Sequence, residues 1–155
     1  MEINFEQFIK QLSREAGEIV LKHYKKGEKI NFKNGNPLDK VTDADIESNK
    51  LISKKIIQVF PEHGIISEEL ESQNTEAEYV WVIDPLDGTG NYSKGIPLFC
   101  VMIALMQNNE PIMAVIYDPL HNEMVFAEKG KGAFLNDEKI TATQNQQINL
   151  SSGYM

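Results

Sequence analysis

Tyr79-Val80-Trp81-Val82-Ile83-Asp84-Pro85-Leu86-Asp87-Gly88-Thr89-Gly90-Asn91-Tyr92 is the stretch on which the reading of this chain turns. Its first five residues form an apolar run of the kind that makes a buried strand, and the run stops at an acidic, proline- and glycine-bearing segment. Pro85 presets φ for the second position of a tight turn and Asp is favoured at the first, so Asp84 and Asp87 are expected at the two ends of one four-residue turn, Cα atoms within about 7 Å. Carboxylates held that close repel unless a cation lies between them or one takes up a proton. Gly88-Thr89-Gly90 follows with a flexible backbone whose N–H groups suit an anion. An acid pair leading into a glycine-rich cradle suits a metal ion holding a phosphate.

The surroundings of this stretch fit a single globular unit. The chain has 155 residues, 41% hydrophobic and 25% charged, enough to bury a core as one domain spanning residues 1–155. A net charge of −8 argues against sequence-independent binding to nucleic acid or to an anionic membrane. Cys100 is the sole cysteine, so no disulfide can form within the chain, and its place in the apolar run Phe99–Met106 reads as an inert buried thiol. No apolar stretch is long enough to span a bilayer, and the N-terminus lacks a basic-then-apolar signal, which together suggest a cytoplasmic protein.

Ahead of the central stretch, Phe5, Phe8, Ile9, Leu12, Ala16, Ile19, Val20 and His23 recur at helical spacing over residues 4–24, with Asn4 as N-cap and Gly27 as stop. Residues 25–40 read as a connector with a short strand around Ile30–Phe32. Ile46, Ile52, Ile56, Val59 and Phe60 mark a second helix ended by Pro61, capped by Thr42 or Asp43 with Asp45 in its first turn. Capping alone is a sufficient reason for those acids. His63–Ser67 reads as a turn and a short buried strand running into Glu68-Glu69, and Glu71–Glu78 as a solvated, mobile loop.

Beyond it, strands are expected at 99–106, 112–117, 123–127, 133–135 and 139–141, joined mainly by hairpins. Asp118-Pro119-Leu120 lacks the second Asp and the glycines of the central stretch and reads as an ordinary strand-ending turn. Two helices followed by consecutive strands give an α+β fold, a mainly antiparallel sheet covered by helices on one face.

Glu68, Asp84, Asp87 and the Leu86 carbonyl are hard oxygen donors, the type magnesium takes, and no His/Cys cluster points to zinc. Paired ions about 3.5–4 Å apart can activate water and neutralise the leaving oxygen of a phosphate ester. Thr89 is placed to orient the attacking water, with Asp45 or Glu68 accepting a hydrogen bond or a proton. Asp-Pro-x-Asp-Gly turns also occur as plain structure, so the residues alone leave both readings open.

The same residues carry a resemblance. Trp81–Tyr92 resembles the signature of the inositol monophosphatase family; Pro37–Asp45 resembles that family's segment before its second helix, Ser67-Glu68-Glu69 its Gly-Glu-Glu, and Gly130–Phe134 its glycine-rich strand connection. These fall in the family's order across nearly the whole chain. The resemblance implies the N-terminal part of a layered αβαβα fold and magnesium-dependent, lithium-sensitive hydrolysis of a small phosphomonoester, with inositol monophosphate as first substrate. Fructose 1,6-bisphosphate and 3′-phosphoadenosine-5′-phosphate are the alternatives. It implies two or three Mg2+ ions in the complete enzyme, held by Glu68, Asp84, Asp87 and the Leu86 carbonyl. Thr89, supported by Asp45 and Glu68, would activate the water; Gly88, Thr89 and Gly90 would meet the phosphate, and a homodimer is possible. Family chains continue into a second half whose Trp-Asp-x-Ala-Ala-Gly segment completes the second metal site, and no such segment occurs here. A non-catalytic metal-binding fragment is therefore the competing expectation.

Overall fold

The computed structural model describes residues 4–24, 31–32 and 40–142. Its elements in chain order are α1 (Phe5–Tyr24), β1 (Asn31–Phe32), β2 (Lys40–Val41), α2 (Asp43–Val59), β3 (Gly64–Ser67), β4 (Tyr79–Asp87), α3 (Thr89–Tyr92), β5 (Cys100–Gln107), β6 (Glu110–Asp118), β7 (Glu123–Glu128), β8 (Gly132–Leu135) and β9 (Glu138–Ile140). The α+β expectation holds. The Gly27 stop and the Pro37–Asp39 part of the family-like segment lie outside the described residues.

Strands β3 to β9 form one seven-stranded sheet in sequence order, antiparallel throughout except for the parallel β3–β4 pair. From β5 to β9 hairpins explain this order, since each strand follows the last through a short turn, whereas β4 and β5 are joined by residues 88–99, which hold α3. Three of those turns carry asparagines at positive φ, Asn108-Asn109 after β5, Asn122 after β6 and Asn136 after β8. The Glu71–Glu78 loop, expected to be mobile, is tied to the sheet edge: Gln73 and Ile65 exchange backbone bonds of 2.8 Å in both directions. β1 pairs with β2, a strand the sequence did not announce.

Both long helices lie on one face of the sheet, α2 over β4 and α1 over β5 and β6. Ile9, Leu12, Ala16 and Val20 of α1 are fully buried with Ile52 and Ile56 of α2, against Trp81, Ile83, Val101, Ile103, Leu105 and Val115 of the sheet. Alternation along the strands sends these side chains to the helix face and their neighbours to the other. Close approach of α1 to β6 needs Gly17, where an added Cβ would lie 2.7 Å from the Tyr117 ring. Trp81 anchors the lower end of the core, donating its indole N–H to His63 Nδ1 at 3.0 Å, and His63 stacks on Phe60 with ring centroids 4.6 Å apart.

Candidate metal and phosphate site

The central stretch folds differently from the turn its sequence suggested. Strand β4 runs on through Pro85 and Leu86 to Asp87, and the irregularity expected as a turn is a bulge between Asp84 and Asp87 against β5. Pro85 fits because a bulge spares the missing N–H. The chain reverses one residue later, at Gly88, whose φ of 82° is left-handed and whose Cβ would meet the Leu98 carbonyl at 2.7 Å. Thr89 then opens α3, a single helical turn that the sequence reading left as flexible backbone. Within the bulge Asp84 accepts from the Leu86 N–H at 3.2 Å, while Leu86 is buried with its carbonyl turned to Thr89.

Asp45 caps α2 and also reaches the central stretch. Thr42 is the N-cap of α2 and Asp45 completes a capping box: Asp45 Oδ2 accepts from the Thr42 N–H at 2.8 Å and from its hydroxyl. Its second oxygen, Oδ1, faces the sheet, 3.2 Å from Thr89 Oγ1. The Thr89 hydroxyl is also 3.0 Å from the Leu86 carbonyl, so one proton is shared between two acceptors. Asp45 is 1% exposed, and burial pushes its carboxyl up from the ordinary value while the bonds from Thr42 and Thr89 hold it down.

Asp84 stands at the centre of the acid group. Burial first, then the nearby Glu68, then Asp87 and Asp45, push its carboxyl up to about 7, against one restraining N–H from Leu86. Burial and neighbouring like charge both disfavour the ionised form. Glu68 follows β3, which the parallel pairing sets beside β4; its N–H donates to the Ile83 carbonyl at 3.2 Å. Asp87 closes β4 as its exposed last residue. Among the described residues no three His, Cys, Asp or Glu side chains converge tightly enough to grip an ion unaided. The donor set nevertheless fits magnesium, which takes one or two carboxylates and fills its remaining positions with water and phosphate oxygens. The structure thus brings Asp45, Glu68, Asp84, Leu86, Asp87, Gly88 and Thr89 to one edge of the sheet. Gly90 belongs to the same turn but needs no glycine for space, since an added Cβ meets nothing within 4 Å.

Two findings lay beyond the sequence reading. Ser48 and Asn49 are fully buried on α2 and hold the site's backbone: Ser48 Oγ donates to the Pro85 carbonyl at 3.2 Å, and Asn49 donates to Ser67 Oγ, which accepts from the Glu69 N–H at 3.2 Å. The signal was present, since Asp45, Ser48 and Asn49 place polar groups on the stripe that Ile52 and Ile56 continue. Cys100 is the second. It is half-buried rather than buried in the apolar run, its Sγ 3.8 Å from Asp87 Oδ2, with burial and the acids pushing the thiol up to about 12.

The profile of the inositol monophosphatase family matches residues 3–154. The chain belongs to that family. Among family members, it is 41% identical over 145 residues to a Xylella fastidiosa protein named Nus factor SuhB, covering 92% of this chain and 52% of that one. The structure of a Thermotoga maritima inositol monophosphatase superposes with a TM-score of 0.84 at 32% identity, over 92% of this chain and 55% of the other. An inositol monophosphatase/NADP phosphatase solved with Mg2+ and phosphate gives a TM-score of 0.77 at 26% identity, over 86% and 51%. The chain spans about half the length of the relatives it matches. Among the described residues no helix is long and apolar enough to cross a membrane.

Proposed function

We propose that the site handles the metal and phosphate of a magnesium-dependent phosphatase acting on a small phosphomonoester, inositol monophosphate first among them. Residues 1–155 are read as one domain, corresponding to the N-terminal portion of the family fold. The observation that supports the proposal is the Asp84 group: burial first, and then Glu68, Asp87 and Asp45 close by, raise the Asp84 carboxyl to about 7.

Glu68, Asp84, Asp87 and the Leu86 carbonyl are the residues that would hold magnesium. When bound, it would neutralise phosphate charge and lower the pKa of a coordinated water. The chain's own residues do the rest. Thr89 donates its proton to Asp45 Oδ1 and to the Leu86 carbonyl, which leaves its oxygen lone pairs to accept from a water. A proton arriving at Thr89 can pass to Asp45, whose buried carboxyl is raised and so receptive. Gly88, Thr89 and Gly90 open α3, where the first N–H groups of a helix have no intrahelical carbonyl, and these would meet the phosphate.

Phosphate release from inositol 1-phosphate, fructose 1,6-bisphosphate and 3′-phosphoadenosine-5′-phosphate, measured with Mg2+ and with chelator, tests the proposal. Release that is unchanged by chelator, or by Thr89→Ala, would sink it. A second reading is favoured by the chain's span of about half its relatives' length: a piece that binds metal and turns nothing over. Calorimetric Mg2+ binding without phosphate release would decide for that reading. The Xylella relative's name, Nus factor, is not a phosphatase name, so the expectation of no nucleic-acid partner is not carried forward.

A further inference from the structure

One face of α2 changes character along its length. Asp45, Ser48, Asn49, Ile52 and Ile56 follow one another at helical spacing and all are buried, yet the last two are apolar and the first three polar. Each of the three polar side chains bonds a different segment of the site. Asp45 accepts from Thr89 at the start of α3, at 3.2 Å. Ser48 donates to the Pro85 carbonyl in the bulge of β4, also at 3.2 Å. Asn49 donates to Ser67 at the end of β3, and Ser67 leads directly into Glu68.

Glu68 needs such a tie more than the other acids do. β3 is a four-residue strand at the edge of the sheet, and its ladder runs to β4 alone. That ladder reaches Ser67, and the Glu68 N–H adds one bond to the Ile83 carbonyl at 3.2 Å before the chain bends away. The Ser67 hydroxyl holds the bend: its oxygen accepts from the N–H groups of Glu69 and Leu70 at 3.2 Å and 3.4 Å. On an edge strand the serine side chain has other staggered rotamers open to it, in which those bonds are lost. Asn49 selects the one seen. Its amide nitrogen donates to Ser67 Oγ while its amide oxygen accepts from Ser53 Oγ at 3.1 Å, so the amide is oriented from both ends. A fully buried amide is costly unless it is paired in this way.

Ser67, Glu68 and Asp84 line one hollow, and after burial Glu68 raises the Asp84 carboxyl more than Asp87 or Asp45 does. The direction in which Glu68 leaves β3 therefore sets how the two acids stand to each other.

We propose that Asn49 is a positioning residue for the metal site: through Ser67 it sets the bend that carries Glu68, and with it the approach of Glu68 to Asp84. The inference rests on the reading of Glu68 and Asp84 as cation ligands. Side chains that orient ligands without touching the ion carry about 10–100-fold of metal affinity in other sites.

Calorimetric titration of the metal-free chain with Mn2+ is the test, on the parent, Asn49→Leu, Ser67→Ala, the two together, and Ser67→Thr, with thermal melts of each in chelator. Each single change is expected to weaken Mn2+ binding about tenfold or more. The double should lose no more than either single, because the two residues act through one bond. Ser67→Thr keeps the hydroxyl and should bind as the parent does. The melts separate positioning from plain support. The double variant replaces both partners by apolar groups, so its melting temperature should stay close to the parent's while its affinity remains low. Unchanged affinity in Asn49→Leu overturns the inference, as do additive losses in the double, or an affinity that simply follows the melting temperature across the set. A parent that binds no Mn2+ is a distinct failure: it removes the cation reading itself, and the inference with it.

Discussion

Replacing Asp84 by Asn should stabilise the metal-free chain at alkaline pH. The Asp84 carboxyl moves from 3.8 to about 7 on folding, chiefly through burial and then through Glu68, Asp87 and Asp45. At about 1.4 kcal/mol per pH unit this is a ceiling of about 4 kcal/mol, and partial solvent access brings the expected value to about 2 kcal/mol. A raised carboxyl means the folded chain keeps a proton that the unfolded chain has lost. The stability it contributes is therefore complete below pH 3.8, erodes as pH rises and is gone above about 7. Asn carries no charge and keeps an oxygen to accept the Leu86 N–H. Thermal melts in chelator at pH 8 should place the variant about 4–8 °C above the parent, the gap narrowing towards pH 4. Mg2+ should narrow it at pH 8 as well, by stabilising the parent. A variant that melts level with or below the parent at pH 8, or a gap insensitive to pH, would refute the claim that burial and neighbouring acids disfavour the Asp84 carboxylate.

Thr42→Ala removes one half of the capping box and should cost about 1–2 kcal/mol by denaturant titration, with Thr42→Ser restoring most of it. Gly88→Ala forces a Cβ into left-handed backbone and towards the Leu98 carbonyl and should cost more than about 2 kcal/mol, whereas Gly90→Ala should stay within about 0.5 kcal/mol. Burial lowers His63 below 6.5 and its Nδ1 accepts from Trp81, so the folded chain resists the proton. The stability this gives is present above pH 6.5 and lost as pH falls through the lowered value. Emission from Trp81, the sole tryptophan, should report the loss, and His63→Phe should remove that pH dependence.

What the sequence disclosed and what it hid follow from the range of the forces involved. The stripe of α1, the capped start of α2 and the hairpins are local, set by periodicity and turn chemistry, and they were legible. The fate of Pro85 was not, because whether Asp-Pro-Leu-Asp turns or bulges depends on β5 pairing beside it, and Cys100 opposite Asp87 lies well away in sequence. Asp45 was ambiguous for the same reason: its capping bonds reach three residues, while its bond to Thr89 reaches 44. Ser48 and Asn49 were visible as polar breaks in an apolar stripe, yet only the position of α2 over β4 gives them partners. The parallel β3–β4 pair, which sets Glu68 beside Asp84, is likewise a long-range fact.

Calorimetric titration of the metal-free chain with Mg2+ or Mn2+, beside Asp84→Asn, tests the central claim most directly. The account predicts that the parent binds the cation, more tightly as pH rises through about 7 and Asp84 gives up its proton, and that the variant loses most of that affinity. Equal affinity in parent and variant would contradict it.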